Sequence, residues 1–266
     1  MIPTDKGNAR METLMLRSRL RPWMATSRRL GLAKLIAAQL RHREARNLIA
    51  VGLYGSVARG EDRAHSDVDL LVVVRKKRAT IRHLVRTGIL VTILQQTPAE
   101  ARAEVVGSRA DLNVALGGWQ SMRPLYDPSG LLSRLKKKAK HPSREQFRQA
   151  ARGAFLETYE DLGKLRNAVD SNDGDEAREM AIWYTGGAMG ILLDLNCRVL
   201  PTGRRAFVEI RRYGAVGDAI RRLRYETLSP RETLRLAEFT WAELLARARK
   251  QRMSLPEFGR QSPGSL

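Results

Sequence analysis

The stretch Leu53–Val74, LYGSVARGEDRAHSDVDLLVVV, constrains this chain more than any other. An apolar run from Leu48 to Tyr54 stops abruptly at Gly55-Ser56. Ten residues later Asp67-Val68-Asp69 opens a second apolar run that ends at Val74. Both runs have the length and β-branched content of strands. Side chains at i and i+2 of a strand share a face, so Asp67 and Asp69 project side by side at the mouth of a buried strand. Two carboxylates held that close repel, and desolvation adds to the cost. A divalent cation removes both penalties, and Mg²⁺ takes one or two carboxylates together with substrate phosphates. Gly55 permits close backbone approach, Ser56 with the following amides can hold phosphate oxygens, and Arg59 can add a charge-assisted contact. One strand–turn–strand unit therefore offers a metal site beside a phosphate cradle. Either aspartate alone would read as the end of a polar loop; the whole pattern favours the site.

Gly55-Ser56 followed by Asp67-x-Asp69 resembles the signature of the nucleotidyltransferase superfamily that includes DNA polymerase β. One departure stands out. Many members of that superfamily carry a third carboxylate on the next strand, often the catalytic base. The third strand of this chain is expected at Gly88–Gln95, GILVTILQ, and holds none; Val91 and Thr92 occupy the nearest positions.

The chain has 266 residues, enough for one large domain or two small ones, and 43% apolar residues to build a core. Lys and Arg number 48 against 28 acids, a formal charge of +20. That excess attracts polyanions such as nucleotides and RNA, although a solvated Arg-rich surface would give the same count. The single cysteine, Cys197, excludes a disulfide framework within one chain and a cysteine-based zinc site. No run of 18 apolar residues and no signal-peptide core are present, so a cytoplasmic protein that makes no membrane contact is expected.

Four regions follow from the patterning: a basic extension over 1–27, a catalytic domain over 28–140, a helical domain over 141–255, and a flexible tail over 256–266. A helix is expected to begin at Thr13, and a second spans Ser27–Arg46 with Leu30, Leu32, Leu35, Ile36 and Leu40 as its stripe. Arg75–Arg78 reads as a charged loop or helix start. Pro98 opens a helix, and Arg123–Tyr126 reads as an edge strand before the Asp127-Pro128-Ser129-Gly130 turn. Beyond Pro142 every pattern is helical. Ser143 with Gln146 three residues on forms a capping box. Helices then run to about Val169, from Glu176 to Val199, in short pieces over 203–225, and from Pro230 to Arg252. The fold class is α+β: a small mixed β-sheet with flanking helices, followed by an all-helical bundle.

Two segments sharpen the resemblance. LYDPSG (Leu125–Gly130) and FLETYEDLGKLRN (Phe155–Asn167) are similar to the kanamycin nucleotidyltransferase family. In that family the base is a glutamate on a C-terminal helix, four residues before a lysine, and Asp-x-Glu stands in place of Asp-x-Asp. Glu160 and Lys164 match the pair, and Arg59 matches an arginine that follows the Gly-Ser turn. The resemblance implies that Asp67 and Asp69 bind Mg²⁺, with Mn²⁺ as a substitute. Gly55, Ser56, Arg59 and Lys164 then hold the nucleotide phosphates, and Glu160 deprotonates the acceptor hydroxyl, with Glu157 in support. By residue chemistry alone Glu160 and Lys164 would be a surface i,i+4 ion pair.

The reaction so implied moves a nucleoside monophosphate from an NTP, with ATP as the expected co-substrate, to an acceptor hydroxyl and releases pyrophosphate. An aminoglycoside-like molecule is the acceptor by resemblance. Such polycations are repelled by a +20 chain unless the site is locally acidic, so RNA, a protein or a phosphorylated metabolite stands beside it. The helical half offers a surface for a homodimer. The alternative is a nucleotide- or RNA-binding regulatory module of toxin–antitoxin type with little turnover; a third idea is an RNA-tailing enzyme.

Overall fold

The computed structural model describes residues 28–109, 111–256 and 258. The helix expected from Thr13, the basic extension and nearly all of the expected tail lie outside the described residues. Those described divide into two compact units, one reaching to Gly107 and including Ala115–Pro142, the other made of Ser108–Val114 and the residues from Ser143 onward.

The first unit is built on a five-stranded mixed sheet. Residues 28–44 form helix α1, and strand β1 follows at Leu48–Tyr54. A short helix α2, Gly55–Arg59, turns the chain into β2 at Val68–Val74. Strands β3 (Ile81–Arg86) and β4 (Ile89–Gln96) form a hairpin, and helix α3 (Pro98–Val106) follows. Helix α4 (Leu112–Ser121), whose first three residues are counted with the second unit, strand β5 (Arg123–Tyr126) and helix α5 (Leu131–Ala139) complete the stretch. The strand order is β3-β4-β2-β1-β5, with β2 and β4 parallel and the other pairs antiparallel.

Burial explains which strands the sequence announces. In β2 every residue except Asp69 is buried, as expected of a central strand covered on both faces. On one face Ala33, Ile36, Ala37 and Leu40 of α1 pack against Leu53, Val68, Leu70, Val91 and Ile93. On the other face Gly52 carries no Cβ, and Met122 and Leu132 occupy the space one would fill.

Two elements of this unit differ from expectation. The charged segment Arg75–Arg78 is a loop, the first of its two expected readings, and it leads into a strand, β3, that the sequence did not announce. Its residues IRHLVR are nearly all exposed, so the apolar alternation of a half-buried strand is missing. It exists because its backbone pairs with β4 along Ile81–Arg86, turning through Thr87 and Gly88, both at positive φ. Helix α4 was also unmarked, since Gly117-Gly118 lies at its centre.

The second unit is helical: α6 (Arg144–Asp170), α7 (Gly174–Leu195), α8 (Ala206–Glu209), α9 (Ala215–Tyr225) and α10 (Pro230–Lys250). Ser143 caps α6 in a capping box with Gln146. Gly187 of α7 lies so close to Thr158 of α6 that a Cβ there would strike its hydroxyl, so the two helix backbones approach closely. Phe155, Tyr159, Trp241 and Phe258 form an aromatic cluster. The Tyr184 hydroxyl donates to the Ala237 carbonyl at 2.8 Å. Trp183, by contrast, is an exposed residue of the same apolar helix. Among the described residues no helix is long and apolar enough to cross a membrane.

Asp194 is a charged residue type in the core of this unit, 1% exposed. The Asn113 side-chain amide donates to Oδ1 at 3.1 Å, while Oδ2 has no partner among the described residues. Burial pushes its carboxyl up to about 8, against the Asn113 hydrogen bond, which lowers it. The unfolded chain loses this proton near pH 4, whereas the folded chain keeps it to about pH 8. Between those values unfolding releases a proton, so stability falls as pH rises. Melting temperatures measured from pH 5 to 8.5 should therefore decline, and Asp194→Asn should flatten the decline and raise the melting temperature at pH 8. A variant as pH-sensitive as the parent chain would contradict this assignment.

Candidate active site

The site begins at the end of β1. Tyr54 is extended, and Gly55 then turns the chain at φ +74°, in the left-handed region open to glycine. Ser56, Val57 and Ala58 follow, buried in the single turn of α2, and Gly60 ends it, also left-handed. The Ser56 carbonyl accepts the amides of Gly60 and Glu61, so the turn is closed on itself.

Asp69 stands directly opposite Tyr54 in the β1–β2 register. Its carboxylate lies against Gly55: a Cβ built there would collide with Asp69 Oδ2. The missing side chain at 55 thus does two things, allowing the left-handed turn and leaving room for Asp69. Asp67 lies two residues earlier and faces the same way, since Val68 between them points into the core. Both aspartates are half-buried. Tyr54 registers their field, since burial first, then the charges of Asp69, Glu104 and Asp67, push its phenol well above the ordinary range.

The loop that delivers these carboxylates is held from α1. Arg29 is 5% exposed. Its guanidinium donates Nε to the Ser66 carbonyl at 2.7 Å and Nη2 to the Ala64 carbonyl at 2.5 Å, and Nη1 lies 3.8 Å from Asp62. The Ser66 hydroxyl in turn accepts the Arg63 amide at 2.8 Å. Nothing in the sequence flagged Arg29; its only trace is an arginine at the head of an apolar stripe. Arg59, expected at the phosphates, pairs its Nε with Glu61 at 3.0 Å, and its side chain is 13% exposed.

Across β4 the residue in register with Asp69 is Thr92, and the one in register with Val68 is Val91. No carboxylate stands on this strand. Among the described residues no three His, Cys, Asp or Glu side chains gather closely enough to hold a metal by themselves. The pair Asp67 and Asp69 fits a hard cation whose other ligands are phosphate oxygens and water.

Glu160 and Lys164 belong to the second unit, on α6. They form an i,i+4 ion pair at 2.8 Å, with the glutamate side chain 69% exposed. The Lys164 hydrogen bond, reinforced by its charge, lowers the Glu160 carboxyl, and Glu160 raises Lys164 in return. Neighbouring Asp161 is raised, by burial first. The structure thus brings the Asp69 carboxylate of β2 against Gly55, at the head of the turn that holds Ser56, with Asp67 just before β2 and Arg59 at the end of α2. Glu160 and Lys164 form their ion pair within the second unit.

Residues 36–109 match the family model described as polymerase beta, nucleotidyltransferase. Two curated proteins, each named aminoglycoside nucleotidyltransferase (4′), are similar to the chain, one from a Bacillus species and one from Staphylococcus aureus. Each is 28% identical over 120 residues, 44% of this chain and 47% of the relative. The match thus spans about half the length of these relatives. Among solved structures, a nucleotidyltransferase-like protein from Exiguobacterium sibiricum aligns with a TM-score of 0.56 at 12% identity. That alignment covers 81% of this chain and 75% of the other, a likeness of fold.

The Arg29 clamp is open to a direct test. Arg29→Met keeps the aliphatic stem but leaves Asp62 buried without its partner, a change that typically costs about 3 kcal/mol. Hydrogen exchange of the amides in 61–67 should accelerate well beyond that of β1 or β2. Uniform acceleration across the unit would mean that Arg29 serves general packing instead.

Proposed function

We propose, from the premise that residues 36–109 form a nucleotidyltransferase domain of the polymerase β superfamily, that this protein transfers a nucleoside monophosphate from an NTP to an acceptor hydroxyl. The observation that carries the reading is the placement of the Asp69 carboxylate on Gly55, with Asp67 on the same face and the α2 turn beside them. Phosphoryl-group chemistry of this kind needs positioning and charge neutralisation more than covalent catalysis. Asp67 and Asp69 would hold Mg²⁺ or Mn²⁺, which would neutralise charge building on the phosphates. Ser56 and the α2 backbone would receive phosphate oxygens. Arg59 would add its guanidinium on leaving Glu61. ATP is the proposed co-substrate.

Glu160 is the proposed general base and Lys164 a proposed phosphate contact, both by family resemblance. The ionised state that Lys164 favours in Glu160 is the state a base requires, although the lowered carboxyl is a weaker proton acceptor. The proposed acceptor is an aminoglycoside-like polyol, by likeness to relatives named for that substrate. The grouping of Glu157, Glu160 and Asp161 on α6 supplies local negative charge for such a cation within a chain of net +20. RNA is the acceptor that the overall charge favours.

The test is transfer of label from each α-labelled NTP with Mg²⁺ to kanamycin or tRNA. Asp67→Asn and Asp69→Asn should each lower the rate at least a hundredfold, and the labelled species identifies the acceptor. Transfer that survives both substitutions would refute the site. Nucleotide binding without transfer to any acceptor would favour the regulatory-module reading, in which Thr92 in place of a carboxylate limits turnover.

A further inference from the structure

We infer that His83 on β3 binds the acceptor molecule through a hydroxyl beside the reacting one, a role that rests on the nucleotidyl-transfer reading above. Tyr54 is opposite Asp69, Asp69 is opposite Thr92, and Thr92 is opposite His83. Residues directly opposite one another point to the same face of a sheet. These four side chains therefore form one row crossing β1, β2, β4 and β3.

The row has a direction. At its β1 end Tyr54 runs into Gly55, Ser56 and Arg59, where the nucleotide phosphates are proposed to sit. In phosphoryl-type transfer the entering and leaving oxygens stand roughly in line on opposite sides of the reacting phosphorus. With the leaving pyrophosphate on the α2 side of the carboxylates, the acceptor approaches from the β4–β3 side. The residues of these two strands that share the row's face are Ile81, His83, Val85, Leu90, Thr92, Leu94 and Gln96. Three of them are polar; Gln96, at the far end of β4, donates Nε2 to Glu104 at 2.6 Å, which leaves His83 and Thr92 in the row of Asp69, and Ile81, Val85 and Leu90 are exposed.

Geometry favours the histidine over the threonine. Strands lie about 4.8 Å apart, so the His83 backbone is roughly 10 Å from that of Asp69, two spacings away. Thr92 lies between them, directly opposite Asp69, and its hydroxyl is taken up by the His83 ring. The His83 Nδ1 lies 3.2 Å from Thr92 Oγ1, which holds the ring beside β4 and leaves Nε2 facing away from Thr92, toward a part of the acceptor lying over β3. When Nδ1 donates to the Thr92 hydroxyl, Nε2 is the remaining nitrogen, with a lone pair that accepts a hydrogen bond from an acceptor hydroxyl. Thr92 is then a positioning residue, and His83 supplies a polar group beside the β4 position where Thr92 stands in place of a carboxylate. The competing account is a solvated histidine on an edge strand, and its consequences differ.

The chain has four histidines, so their ring Cε1–H signals are few enough to follow by NMR, and His83→Gln identifies the one that matters. The full-length protein receives Mg²⁺ with a non-hydrolysable ATP analogue, then kanamycin as the probe, or tRNA if tRNA alone takes label. The His83 signal should move at the second addition and little at the first. In steady-state kinetics His83→Gln should raise the KM for the acceptor roughly tenfold, the scale of one lost hydrogen bond, and leave the KM for ATP unchanged. Thr92→Val should act in the same direction by a smaller factor. A His83 signal that answers nucleotide alone, or neither addition, overturns the proposal, as does an unaltered acceptor KM in His83→Gln. If Asp69→Asn abolishes transfer while His83→Gln changes nothing, the transfer reading stands and the role of His83 falls. If Asp69→Asn is also silent, the assignment of the site to Asp67 and Asp69 is what fails, and no transfer by the native protein would refute the transfer reading itself.

Discussion

The contact on which the candidate site depends is the one between the Asp69 carboxylate and the bare Cα of Gly55. It joins the end of β1 to the start of β2, adjacent antiparallel strands at the middle of the sheet. An l-residue at 55 would meet two objections together, a left-handed φ of +74° and a collision with Asp69. The rest of the first unit supports this junction. The apolar interior of β2 fixes where Asp69 emerges, α1 covers one face of the sheet, and Arg29 ties the intervening loop down at Ser66 and Ala64.

How much of this was legible in the sequence depended on what each segment buries. β1 and β2 were readable to the residue because their interiors are apolar and each ends at a glycine or an aspartate. The capping boxes at Thr97 and Ser143 combine Thr or Ser with Glu or Gln at fixed spacing; the second was expected outright, and Pro98 marked the first. β3 escaped notice because an exposed edge strand is specified by backbone pairing with β4, and its residues carry no period. α4 escaped because two glycines interrupt it. The Arg29 clamp and the Thr92–His83 pair bridge 37 and 9 positions along the chain, respectively, and only the fold brings them together. Asp67, Asp69, Gly55 and Ser56, by contrast, lie within a single short motif.

The second unit poses a different electrostatic problem. Asp194 is buried with one oxygen unpartnered among the described residues, a cost that its retained proton reduces. Glu160 and Lys164 lie on the surface, where solvent screens their attraction, so the pair by itself contributes little to stability. Their proposed part in transfer comes from resemblance to kanamycin nucleotidyltransferases. The first unit carries its own argument in the geometry of the turn.

The central claim is that the space left by the missing side chain at position 55 builds the nucleotide–metal site. The most direct measurement is calorimetric titration of a non-hydrolysable ATP analogue, with and without Mg²⁺, into the native protein and into Gly55→Ala, with melting temperatures recorded beside it. The account predicts Mg²⁺-dependent binding to the native protein, and an affinity at least tenfold weaker in the variant with the fold retained. A folded Gly55→Ala protein that binds the Mg²⁺–nucleotide complex as tightly as the native chain would contradict it.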